Sequence, residues 1–167
     1  MNLFPCIAAI LMALALPFAA SAQAPDADAR TADADVAALL DSIEYRYELD
    51  EDGDYRLVLE MPDSARTQLV FVRSPVEEYG NVRVREVWSP AWRGDGEFPA
   101  AVANRLLQAT SDLKLGAWER QGPFAVLVIK LPADATAKVL EDAIIFAAMA
   151  ADAMELELSG AEAGDEF

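Results

Sequence analysis

The chain has 167 residues, with 29 acidic and 13 basic side chains, no histidine, one cysteine and a formal net charge of −16. A hydrophobic fraction of 54% is too high for a disordered acidic protein, and the length suits one domain with a real core. The charge argues against nucleic acid as a partner, and the absence of histidine removes the usual general base, nucleophile activator and metal ligand.

The first segment reads as a secretory signal peptide. Residues 7–18 are almost wholly apolar, Pro17 breaks the run, and Ala20-Ser21-Ala22 supplies an A-x-A site, with cleavage expected between Ala22 and Gln23. The run is shorter than the ~20 residues a membrane-spanning helix needs, so no stable anchor is expected after processing. Cys6 leaves with this peptide, and the mature chain must be stabilised by packing without disulfides. Residues 23–35 are mostly Ala and Asp and are expected to be a flexible linker. The folded part should span residues 36–158, followed by an acidic tail over 159–167.

Val36, Leu39, Leu40 and Ile43 have the spacing of a short amphipathic helix, with Asp33 or Asp35 as N-cap. Tyr45, Tyr47 and Leu49 alternate with Arg46 and Glu48 at strand period. Residues 50–54 form the turn, where Gly53 is free to take a positive φ, and residues 55–61 return as a second strand. Residues 67–73 form a third strand, apolar on both faces and therefore central. Residues 82–88 form a fourth, stopped by Ser89-Pro90. A helix follows from Pro99, with Val102, Leu106, Ala109 and Leu113 as its buried stripe. Residues 116–120 and 124–131 pair across Gln121-Gly122-Pro123. Residues 133–158 close the chain as its longest helix, with Leu140, Ile144, Ala147, Ala151, Met154 and Leu158 in register. The fold class is α+β, an antiparallel sheet with flanking helices in the order α-β-β-β-β-α-β-β-α.

Catalytic chemistry finds little support. Ser64, Ser74, Ser89, Ser111 and Ser159 have no histidine to activate them and no G-x-S-x-G or S-x-x-K around them, and no phosphate-binding glycine motif occurs. Aligning Gly53 with the EF-hand glycine puts Glu48, Asp50, Asp52 and Asp54 at ligand positions. The twelfth position is then Leu59, where a bidentate Glu is required, so the plain reading is a soluble Asp-Gly turn. Trp88, Trp92 and Trp118 read as seals of a small core, or else as the lining of a cleft.

Two features suggest partner binding. Seven of the ten arginines fall between positions 46 and 93, where residues 55–93 carry a net +1. Arg46, Arg56, Arg83 and Arg85 are expected on solvent faces of their strands, either paired with Glu48, Glu60 and Glu86 or lining a face for an anion. In the last helix, residues 143–151 are uninterruptedly apolar, and Ile145, Ala148 and Met149 lie off the core stripe, as in a helix that is either sandwiched within the core or covers a partner or a second copy.

The stretches Ala38-Leu39-Leu40-Asp41-Ser42, Tyr47-Glu48-Leu49-Asp50-Glu51-Asp52-Gly53-Asp54-Tyr55-Arg56 and Gln68-Leu69-Val70-Phe71-Val72 stand in order. Val87-Trp88-Ser89-Pro90, Leu115-Gly116-Ala117-Trp118-Glu119 and Val128-Ile129-Lys130-Leu131-Pro132-Ala133-Asp134 follow. Together they resemble the YbjN family, whose domain is similar in fold to type III secretion chaperones. The resemblance implies a chaperone-like α+β domain over residues 36–158, a role labelled sensory-transduction regulation, no enzymatic site, and dimerisation through a helix of the kind usual among secretion chaperones. The expected function is thus a non-enzymatic, exported, periplasmic or secreted binding or regulatory module with a protein partner and no cofactor or metal. The alternative is a periplasmic small-ligand or anion binder that uses the Arg-rich sheet face. Most of the −16 lies in residues 23–35, 50–54 and 152–167, which hold −3, −4 and −6; that acidity reads as serving solubility.

Overall fold

A computed structural model describes residues 31–62, 64–160 and 165–167. The apolar run, the cleavage pair Ala22 and Gln23, and residues 23–30 of the expected linker lie outside the described residues. Among the described residues, the first regular element is α1 (Ala34–Ser42), capped by Asp33, whose carboxylate accepts from the Asp35 N–H at 2.9 Å. The expected linker therefore ends earlier than residue 35. Asp33 is pinned from several sides: its N–H donates to Ser74 Oγ at 3.1 Å, its carbonyl accepts from the Tyr55 hydroxyl at 2.7 Å, and its carboxylate pairs with Arg85.

The sheet follows as β1 (Glu48–Leu49), β2 (Tyr55–Glu60), β3 (Thr67–Tyr79) and β4 (Val82–Arg93), then α2 (Ala100–Asp112), β5 (Ala117–Gln121), β6 (Phe124–Pro132) and α3 (Ala137–Ser159). This is the α+β order expected from the sequence. All strand pairs are antiparallel, in the order β1-β2-β3-β4-β6-β5, so β3, β4 and β6 are interior. The first strand is only two residues long, because Tyr45 turns away to pack against the core. Gly53 takes φ 77° in the turn that returns the chain into β2.

Two strands run well past their expected ends. β3 continues to Tyr79 across a register shift between Val72 and Val76, and β4 passes through Ser89-Pro90 to Arg93. A proline inside a sheet needs a local substitute for its missing donor. Ser89 Oγ donates to the Leu69 carbonyl at 2.7 Å, and the buried Gln68 amide donates to the Pro90 carbonyl at 2.7 Å and to Ser89 Oγ at 3.2 Å. The β4–β6 register then shifts between Pro90 and Trp92, and the strand continues. α3 starts four residues later than its apolar pattern suggests, because Thr136 caps it through the Val139 N–H at 3.4 Å.

One core holds the layers together. Val36 and Leu40 of α1, Leu106 and Ala109 of α2, and Leu140, Ala143, Ile144, Ala147 and Ala151 of α3 join Leu57, Val70, Val72, Val87, Leu127 and Ile129 from the sheet. Ala148 also belongs to this core at 1% exposure, against the expectation that it faces outward. The alanines let α3 lie close to β3, β4 and β6, where bulkier side chains would force it off. Arg105 of α2 pairs with Glu157 of α3, which holds Glu157 below the usual carboxylate range. Helices from three parts of the chain thus feed one core on one side of the sheet.

Candidate functional site

Strand periodicity divides the sheet into unlike faces. Along β3, Gln68, Val70, Val72 and Ser74 are buried, whereas Leu69, Phe71 and Arg73 between them are only half-buried. The second set pairs in register across the sheet: Phe71 opposes Trp88, and Trp88 opposes Val128, which like Val126 is buried. None of Leu69, Phe71, Trp88, Val126 or Val128 belongs to the helix-side core. Among the described residues, no helix covers this second face.

The face is concave at its centre. A cavity of about 280 Å³ is lined by Leu69, Phe71, Trp88, Pro90, Phe124, Val126 and Phe167, with Asp50, Arg73 and Gln121 as its polar members. The guanidinium of Arg73 lies over the Trp88 ring, 4.2 Å from its centroid, while its Nη1 contacts Asp54 Oδ2 at 2.6 Å. Asp54 is fully buried and accepts from the Ser74 N–H at 2.7 Å. Burial pushes its carboxyl up, against the Ser74 N–H and Arg73, which work to lower it. Arg73 is therefore held in place as part of the wall.

Beside the cavity, Trp88 Nε1 donates to Glu86 Oε2 at 2.8 Å, and Lys130 Nζ reaches Glu86 Oε1 and Glu119 Oε1, each at 3.2 Å. The hydrogen bond that Lys130 donates to Glu119 is the main reason its ammonium titrates above its usual range. Lys130 offsets one of these two carboxylates, so this rim of the face is polar with a net charge of about −1, while the centre is apolar.

The segment Asp165-Glu166-Phe167 runs from α3 past the start of β3, and its Phe167 reaches this face. Asp165 Oδ2 accepts from Thr67 N–H at 2.9 Å and from Thr67 Oγ1 at 3.0 Å, and Asp165 Oδ1 lies 3.4 Å from Arg66 Nη2. The Glu166 N–H donates to the buried Glu155 at 2.9 Å. The Phe167 ring meets Phe124 edge-on at 6.2 Å and 74°. Arg66 sits at the centre of these contacts, bonded also to Asp152 at 2.6 Å and Glu155 at 2.9 Å. At least these tail residues are docked, so their charge does more than serve solubility.

The four arginines singled out by sequence do not share a face. Arg85 is 5% exposed on the helix side, with Nη2 on Asp33 at 2.6 Å and Nη1 on the Arg73 and Ser74 carbonyls at 2.9 and 3.0 Å. This corrects its expected solvent position: it shares strand parity with the buried Val87. Arg83 is exposed and paired with Glu78, Arg56 lies on the bare face paired with Glu48 at 3.0 Å, and Arg46 is exposed outside any strand. Ile145 and Met149 are brought together, 39% and 56% exposed, in a shallow groove of about 650 Å³ with Tyr45, Leu59, Met61 and Pro62.

The sequence signal for the bare face was the doubly apolar run through Leu69 and Phe71, which reads equally well as a central strand. The tryptophans divide between their readings. Trp118 is buried, Trp92 packs edge-on to Phe98 at 5.0 Å, and Trp88 lines the cleft. In the acidic turn, Asp50 Oδ1 accepts from the Asp52 and Asp54 N–H groups, each at 2.9 Å. Among the described residues, no group of three or more metal-ligating side chains is gathered. No helix there is long and apolar enough to cross a membrane. No protein-family model matches the chain, and neither a curated protein nor a solved structure does.

Proposed function

We propose that the chain is a non-enzymatic binding module of the YbjN-like type, exported to the periplasm or beyond, whose bare sheet face holds an extended segment of a protein partner. The observation that carries this reading is the concave apolar centre at Leu69, Phe71, Trp88 and Val126 on a face that no described helix covers. A volume of about 280 Å³ falls below the ~300–1,000 Å³ usual for small-molecule sites and suits one or two side chains of a peptide. An apolar centre with a polar rim is also the anatomy of a protein interface. The anion-binding alternative lacks the shared arginine face it requires.

The test is a displayed peptide library panned against the full chain and its Phe167→Ala variant. Enriched peptides should lose at least ~10-fold in affinity on Phe71→Glu and keep it on Met149→Asp, since truncating a central anchor typically costs more than ~1.4 kcal/mol. Peptides that follow Met149 instead would sink the reading.

A second surface has its own support. β1 pairs only with Tyr55 and Arg56, so the outer edge of β2 beyond them is unpaired among the described residues, beside Ile145 and Met149. We propose this edge and groove as the surface for self-association. Light scattering should show a dimer that Ile145→Asp or Met149→Asp dissociates; a strict monomer removes it.

A further inference from the structure

We propose that Asp165 and Phe167 are a resident ligand of the bare sheet face, and that the partner it accepts carries the same pattern, a carboxylate two residues before an aromatic ring. The inference rests on the reading of that face as a peptide site and names what the site selects.

Both halves of the pattern have a built receptor. Thr67 opens β3, and its N–H and hydroxyl both donate to one carboxylate oxygen of Asp165, while Arg66 faces the other. Charge-assisted bonds of this kind fix a carboxylate in register. Phe167 sits edge-on to Phe124 and walls the cavity with Leu69 and Pro90. The intervening Glu166 contributes a backbone N–H to Glu155, so its side chain is free to vary. Arg66 carries a second role: Asp152 and Glu155 hold its guanidinium in place before any partner arrives. The site therefore reads one carboxylate, one backbone N–H and one ring.

Charge explains why the pattern is selective. The chain is −16 overall and Arg66 already faces Asp152 and Glu155, so a second acidic segment meets repulsion, and only one that seats its carboxylate on the Thr67 N–H and hydroxyl gains hydrogen bonds that offset it. The chain's own segment holds the same seat at an effective concentration in the millimolar range, as short tethers give. A free partner must displace it, which makes the segment an internal competitor.

The probe is a fluorescein-labelled peptide with the sequence of residues 163–167, Ala-Gly-Asp-Glu-Phe, followed by fluorescence anisotropy. It is titrated with the full chain and with its Asp165→Asn/Phe167→Ala variant, whose fold is checked by circular dichroism and urea midpoint. The variant should bind at least ~10-fold more tightly than the unaltered chain, because the tethered competitor is gone. Replacing Asp by Asn or Phe by Ala in the peptide should each weaken that binding at least ~10-fold, and Phe167→Tyr in the chain should keep the competition. Equal binding to both proteins, or no binding to either at ~1 mM, overturns the proposal. These results are separable from failure of the site itself, because library-selected peptides of any sequence that depend on Phe71 would still establish the face.

Discussion

Arg85→Met gives the sharpest test of the packing, because it removes one charge that the fold has buried deliberately. The guanidinium is 5% exposed and makes three contacts of 3.0 Å or less: one to the Asp33 carboxylate and two to the Arg73 and Ser74 carbonyls. Methionine fills much of the same volume, so the loss is electrostatic rather than a cavity. Removing one partner of a buried pair costs about 3–5 kcal/mol. The Asp33 side chain keeps 27% exposure, so water screens the orphaned charge and the lower end, about 3 kcal/mol, is expected. Arg83→Met, two residues away, is the internal control. That side chain is 60% exposed and its partner Glu78 62%, so the change should stay within about 0.5 kcal/mol. Asp33→Asn preserves the helix cap while removing the charge, and the double variant should lose about 1–3 kcal/mol less than the sum of the single changes. Urea unfolding followed by tryptophan fluorescence reads all four. An Arg85→Met loss below about 1 kcal/mol, or strict additivity with Asp33→Asn, would refute the argument.

Three further outcomes test other contacts of the fold as well as this pair. The same pair sets an acid limb. Burial raises the Asp33 carboxyl, but the Arg85 guanidinium and the Asp35 N–H outweigh it, leaving the folded value below the ordinary 3.8. The unfolded chain therefore takes up this proton first on acidification. The stability it contributes is complete above 3.8 and lost as pH falls through the folded value, so urea midpoints of Asp33→Asn should decline less steeply than wild type below that pH. Ser89→Ala removes the hydroxyl that donates to the Leu69 carbonyl beside Pro90; a loss of about 1–3 kcal/mol is expected, and a loss under about 0.5 would mean the proline needs no such donor. Gly116→Ala places a methyl 2.4 Å from the Val128 carbonyl oxygen at φ 75°, whereas Gly122→Ala at φ 59° meets nothing within 4 Å. The first should cost about 2–3 kcal/mol and the second about 1, read as shifts in thermal midpoint.

Much of the fold was legible because local rules and the global architecture agree. The Asp50–Asp54 turn needed a glycine free to take positive φ, and α3 announced itself by the stripe from Leu140 to Met154. Proline misled at β4, because the partners that rescue it, Gln68 and Leu69, lie some twenty residues away in sequence. Arg85 is a different case. Its parity with Val87 already placed it on the core face, but its charge argued for solvent, and the ion pair that resolves the conflict starts at Asp33, where the chain reads as linker. The bare face was half visible: Leu69 and Phe71 stood out as apolar, yet nothing local tells whether a second apolar face meets a helix or a partner. The docking of Asp165 and Phe167 was invisible, since the Asp165 contact to Thr67 joins residues 98 positions apart.

The proposed binding surface is the face bearing Leu69, Phe71, Trp88 and Val126. It is tested most directly by amide and indole chemical-shift mapping on the Asp165→Asn/Phe167→Ala chain as a face-dependent library peptide is added. The Trp88 indole and the amides of residues 67–73, 86–90 and 124–128 should move together and saturate, while those around Ile145 and Met149 stay fixed. Shifts confined to the Ile145–Met149 groove, or spread without saturation, would contradict it.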